Sequence, residues 1–139
     1  MSTHNDIVRL LLREPMTLAG LQAAAQVSLP TLRKAVQELT DSRWIRIVGQ
    51  AEANGGRPAM LYGLNESHFM LVGMHLQLPG IRLILTDLNS SILDERELFT
   101  GIVPGQSQSI STVADYINEI RTDYPGRRIV GIGIASPAV

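Results

Sequence analysis

Along the first part of the chain, apolar residues recur at helical spacing in short runs broken by polar residues and proline. Ile7, Leu10 and Leu11 follow the i, i+3, i+4 spacing of one helix face. Asn5 or Asp6 is placed to cap that helix, and Pro15 lies just beyond it. Thr17 caps a second short helix with Leu18, Leu21 and Ala25 inward, and Val27 closes a tight connection. Ser28 is a good N-cap for a third helix, because its hydroxyl accepts an otherwise unpaired backbone N–H. Pro30 is tolerated in that first turn, where its missing donor is not needed. Leu32, Val36 and Leu39 then carry the helical period as far as Asp41–Ser42. Two runs of strand character follow, Trp44–Gly49 and Ala59–Leu64. They flank Gln50–Pro58, which holds the turn signal Asn54-Gly55-Gly56. Three short helices and a hairpin predict a winged helix-turn-helix over residues 1–66.

Over residues 67–139 the pattern changes. Leu71–Leu78 and Ile81–Leu88 are apolar runs of strand length around the turn Pro79-Gly80, and Ser91–Gly101 supplies a third strand. Short turns between sequential strands predict an antiparallel meander. After the polar linker Pro104–Gln108, Ile110, Val113, Ile117 and Ile120 mark a helix face. Ser109 or Ser111 is its expected cap, and Tyr124-Pro125-Gly126 ends it. Ile129–Ala135 has the continuous apolar character of a strand buried on both faces. The order is β-β-β-α-β, so the whole chain is expected to be α+β. One helix is too little to cover both faces of such a sheet. The chain is therefore expected to be a fragment, or to have that face covered by a partner.

Composition narrows the function classes. The chain has 139 residues, 45% apolar and 18% charged, which fits one domain or two small ones. Residues 1–65 carry seven Lys/Arg against five acids, and residues 66–139 carry five against eight. A formal net charge of −1 excludes a uniformly basic binder but leaves room for a local basic face. The absence of cysteine excludes disulfides, thiolate zinc sites and thiol catalysis. No apolar run reaches the roughly 18–20 residues that cross a bilayer, and the N-terminus has no secretory pattern. A cytoplasmic protein with no membrane partner is expected. His4, His68 and His75 share no metal spacing, so neither a metal site nor a cofactor is expected.

The candidate chemistry lies on the third helix. With Leu32, Ala35, Val36 and Leu39 inward, it turns Pro30, Thr31, Arg33, Lys34 and Gln37 outward, next to the cap Ser28. A recognition helix places its N-terminal residues against base edges in the major groove. Arg33 suits a bidentate pair to guanine, Gln37 suits adenine, and Thr31 suits a thymine methyl or a phosphate. Lys34 suits phosphate neutralisation. Arg57, beside Gly55 and Gly56 at the hairpin tip, suits the narrow minor groove of an A·T-rich stretch. The bland alternatives stand beside these. A helix bearing Arg and Lys also describes an ordinary solvated face, and Arg57 also suits a tight turn exposed for solubility. Trp44 fits a core position at the helix–strand junction better than base stacking.

These residues also carry a family resemblance. Val27-Ser28-Leu29-Pro30-Thr31, the wing Gly55-Gly56-Arg57-Pro58 and the following Leu61-Tyr62-Gly63-Leu64-Asn65 resemble the DNA-binding domain of ROK-family transcriptional repressors, of the xylose and N-acetylglucosamine type. Gly73, Ile81-Arg82, Thr86-Asp87-Leu88 and Gly131-Ile132-Gly133-Ile134-Ala135 with Pro137 resemble the start of that family's sugar-binding domain. The resemblance implies a winged helix-turn-helix followed by the truncated start of an actin-like ATPase (ribonuclease H-like) domain. It implies double-stranded operator DNA as partner, with A·T-rich flanks, a homodimer, and a sugar ligand bound only by a full-length form. Departures from the family's kinases matter. His75 stands for Asp, Gln77 for Gly and Pro79 for Thr in the phosphate segment, and Ala138 stands for a Gly. A phosphate loop needs close backbone approach and a hydroxyl, so a non-enzymatic regulator of sugar-utilisation genes is expected. A sugar kinase or ATPase of the same family, and a protein-interaction module using the open sheet face, are the alternatives.

Overall fold

Residues 2–52, 58–77, 80–99 and 107–135 are described by the structure, a computed structural model. The chain divides into two compact units, residues 1–65 and 66–139.

The first unit opens with α1 (Thr3–Leu11), β1 (Met16–Thr17), α2 (Leu18–Ala25) and α3 (Leu29–Asp41). It closes with β2 (Ile45–Gln50) and β3 (Met60–Leu64). Each helix turns one stripe inward. Ile7, Leu11, Leu21, Leu32, Ala35, Val36 and Leu39 are buried together with Ile45 and Leu64 of the strands. Thr17 caps α2 by accepting from the Gly20 N–H at 3.1 Å. The α2–α3 connection is short because Gln26 adopts a left-handed conformation (φ 54°) and its N–H returns to the Gln22 carbonyl.

β3 is central in its sheet, antiparallel to both β1 and β2. β2 bulges between Ile47 and Gly49. Gly63 leaves room there, since a Cβ on it would fall 2.8 Å from Val48 Cγ1. Three expectations need correction or extension. α1 begins at Thr3 with Ser2 as its N-cap residue, not at Asn5 or Asp6; the Ser2 hydroxyl bonds the His4 ring instead of a backbone N–H. β1 has no sequence signal, because two residues carry no period; it exists through pairing with Leu61 and Tyr62. Trp44 sits at the helix–strand junction but is half-buried, not a core residue.

The second unit is β4 (Phe69–Gln77), β5 (Gly80–Thr86), β6 (Ile92–Phe99), α4 (Ser107–Asp123) and β7 (Arg128–Ala135). The sheet order is β6-β5-β4-β7. β4, β5 and β6 form an antiparallel meander, and β7 returns parallel to β4 after the helix. Alternate positions Met70, Val72, Met74, Ile81, Leu83 and Leu85 form the core with Tyr116 and Ile120 of α4. Burying each large apolar side chain contributes about 1.5–3 kcal/mol. Buried Asp87 fixes the β5–β6 turn, accepting from the Asn89 and Ser91 N–H groups at 2.8 and 2.9 Å.

Two expectations fail in this unit. α4 starts at Ser107, so Ser109 and Ser111 lie inside the helix and do not cap it. β7 is not buried on both faces: Ile132 is 52% exposed and Ile134 64%. It is an edge strand, and the buried side chains of α4 pack over β4 and β5. The expected turn at Pro79, the linker from Pro104 and the positions Pro137 and Ala138 lie outside the described residues.

Candidate nucleic-acid interface

α3 is anchored from below and capped from its start. Leu32 is fully buried, and Ala35, Val36 and Leu39 are each at most 5% exposed. The Ser28 hydroxyl accepts from the Thr31 N–H at 3.3 Å and lies 2.7 Å from the Thr31 hydroxyl. Pro30 follows in the first turn, where it costs no helical hydrogen bond. These contacts fix which residues face outward. Ser28, Pro30, Thr31, Arg33, Lys34 and Gln37 are all exposed. Pro30, Arg33, Lys34, Gln37 and Asp41 recur at intervals of three and four, so they form one stripe along the helix.

The stripe is not uniformly basic. Lys34 Nζ lies 4.0 Å from Glu38 one turn on, with its side chain 79% exposed. Glu38 also accepts from, or pairs with, His4 Nε2 at 2.6 Å, which ties α1 to α3. Gln37 donates from Nε2 to Asp41 Oδ1 at 2.8 Å. Arg33 makes no ion pair with a described residue; it lines a groove of about 450 Å³ with Gln22 of α2 and Met60 and Tyr62 of β3. The start of α3 and one edge of the hairpin thus share a surface. A second groove, about 650 Å³, runs between α1 and α3 past Val8, Arg9, Leu39 and Trp44. Gly55, Gly56 and Arg57, the expected wing turn and minor-groove residue, lie outside the described residues.

Glu38 and Asp41, the partners of Lys34 and Gln37, are signalled in the sequence only by their i, i+4 spacing. The His4–Glu38 pair had no such signal, because it depends on how α1 packs against α3.

The histidines are not gathered. His4 pairs with Glu38, His68 stacks edge-on to Phe69 at 4.7 Å between ring centroids, and His75 lies in β4. Among the described residues no group of three or more His, Asp or Glu is placed to hold a metal ion. No described helix is long and apolar enough to cross a membrane. In the second unit Gly73 and Gly133 lie side by side in adjacent strands, next to His75 and Arg82, in a groove of about 400 Å³.

No family model matches the chain. It is 27% identical over 139 residues to the xylose repressor of Bacillus subtilis, covering 94% of this chain. It is 24% identical over 123 residues to a putative xylose repressor of a Caldicellulosiruptor species, covering 87% of this chain. The chain spans 36% and 31% of the length of those two relatives. The crystal structure of a ROK-family transcriptional regulator, described as a homologue of the E. coli MLC protein, superposes with a TM-score of 0.71. That match covers 98% of this chain and 36% of the other at 20% identity, and so speaks to the fold. Sequence similarity and fold together show the resemblance to ROK-family repressors.

Proposed function

We propose that this chain is the DNA-reading part of a sequence-specific transcriptional regulator, a repressor of sugar-utilisation genes. In this reading the first unit is a winged helix-turn-helix, with α3 as recognition helix and the β2–β3 hairpin as wing. The second unit is the start of an actin-like, ROK-type domain that binds the inducing sugar in the longer protein. The observation that carries the reading is the outward stripe of α3, held at a fixed angle by its buried face and by the Ser28 cap.

Each residue then has a distinct task. Arg33 makes a bidentate pair with guanine, Gln37 reads adenine, and Thr31 meets a thymine methyl or a phosphate. Lys34 exchanges an exposed pair with Glu38, worth at most about 1 kcal/mol, for a phosphate. Arg57 enters an A·T-rich minor groove. A homodimer reads two half-sites, and sugar binding moves it to a geometry that fits the operator poorly. Repression is steric, through occupation of the promoter.

The test is selection from a random duplex pool, followed by anisotropy titration of the enriched sequence at several salt concentrations. An enriched motif and a steep salt slope are expected. Arg33→Ala should cost about 1–3 kcal/mol and relax preference at one base pair. A folded protein that enriches no sequence overturns the reading.

A further inference from the structure

We infer that Asp41 is a specificity-determining positioning residue, which fixes the Gln37 amide so that α3 accepts adenine and rejects guanine at that position. The inference rests on the reading of α3 as a recognition helix. Gln37 and Asp41 are both exposed and lie one turn apart on its outward stripe. Gln37 Nε2 donates to Asp41 Oδ1 at 2.8 Å.

The chemistry of the pair settles which way the amide faces. An ionised carboxylate only accepts, so the amide nitrogen must face Asp41 and the carbonyl oxygen must turn away. Gln37 then offers Oε1 and its second Nε2 hydrogen to whatever lies outside the helix. Adenine presents an N7 acceptor and an N6 donor in the major groove, which complements that offer. Guanine presents two acceptors, N7 and O6, and its O6 meets Oε1 with repulsion. A glutamine without this restraint turns its NH2 toward guanine instead. Asp41 works by removing that option, so part of the specificity is exclusion of the wrong base.

The placement of the acid supports a role beyond the helix. Asp41 is the last residue of α3, where the helix macrodipole disfavours negative charge, and that last turn carries no basic residue. The helix dipole therefore gives no reason for a carboxylate there, and what the acid gives the helix is its i, i+4 hydrogen bond with Gln37. A carboxylate beside a phosphate backbone also lowers affinity for every sequence alike. Its removal should strengthen binding overall while weakening discrimination, two changes of opposite sign that loss of folding would not produce.

The experiment uses the whole 139-residue chain and a duplex panel with each base pair at each position of the selected site. The wild type is expected to prefer adenine at the Gln37 position by about 5- to 150-fold. Asp41→Asn and Asp41→Ala should reduce that preference to within about threefold, leave other positions unchanged and strengthen binding overall. Gln37→Ala should lose the same preference, and Asp41→Asn should add nothing in that background. Retained adenine preference in both Asp41 variants, or equal relaxation at every position, overturns the inference while leaving the recognition-helix reading intact. A folded wild type that selects no duplex overturns both.

Discussion

Arg82 and Arg96 of the second unit and the cations of α3 are held in opposite ways. In the second unit, Arg96 has several partners: it bonds Asp94 at 3.0 Å and Glu119 at 2.5 Å, lies 3.7 Å from Asp123 and stacks 5.1 Å from the Tyr116 ring centre. Arg82 is tied across the strands to Glu95. Both guanidiniums are held above their ordinary pKa, chiefly by hydrogen bonds to Glu119 and Glu95 respectively. On α3, by contrast, Lys34 has one loose partner on its own helix, and Arg33 has no ion pair with a described residue. Cations tied to several elements hold a fold together. Cations on one outward helix stripe remain available to an external anion. That difference, more than the count of charges, supports the proposal that nucleic acid meets the first unit.

The largest test of the comparison is whether the units are energetically separate. Leu32→Ala removes a fully buried side chain under α3 and should destabilise the first unit by about 2–5 kcal/mol. The single tryptophan, Trp44, reports that unit in a urea titration. Backbone amide signals of β4 and β5 report the other. The tryptophan midpoint should fall while the amide midpoint stays; a common shift would break the division.

Next in size is the helix cap. Ser28→Ala should cost the first unit about 1 kcal/mol, measured in the same titration. Smaller still is Lys34→Ala, which should weaken all duplex sequences alike and lower the salt slope by about one. Arg82→Ala in the second unit should leave that slope unchanged.

The smallest effect belongs to Tyr116. Its hydroxyl is buried without a hydrogen-bond partner among the described residues, so Tyr116→Phe should change stability by no more than about 1 kcal/mol at neutral pH. Its pKa is pushed up to about 12 by burial and then by the charge of Asp94. Folding therefore favours the protonated phenol. Its contribution is complete below the ordinary value of 10.0 and is lost as pH rises toward about 12. Alkaline unfolding of the second unit should show this loss in the wild type and lack it in the Phe variant.

Much of α3 was legible because its features are local. Leu32, Val36 and Leu39 announce an inward face by spacing alone, and Ser28 announces a cap by its hydroxyl. The outward set follows from those two facts. Features set by distant packing were not legible. β1 is two residues that become a strand by pairing with Leu61 and Tyr62. Ile132 and Ile134 have the composition of a buried strand, but composition says nothing about whether a helix reaches the sheet edge. At the candidate site, Gln37–Asp41 was readable from spacing, whereas His4–Glu38 spans 34 positions and needed the fold.

The central claim is that the first unit, through α3, is the surface that reads DNA. Backbone amide shifts during titration with the selected duplex test it residue by residue. The account predicts large perturbations over residues 28–41 and at the hairpin, with residues 80–99 and 112–133 unmoved. Perturbations concentrated in the sheet of the second unit, with α3 silent, would contradict it.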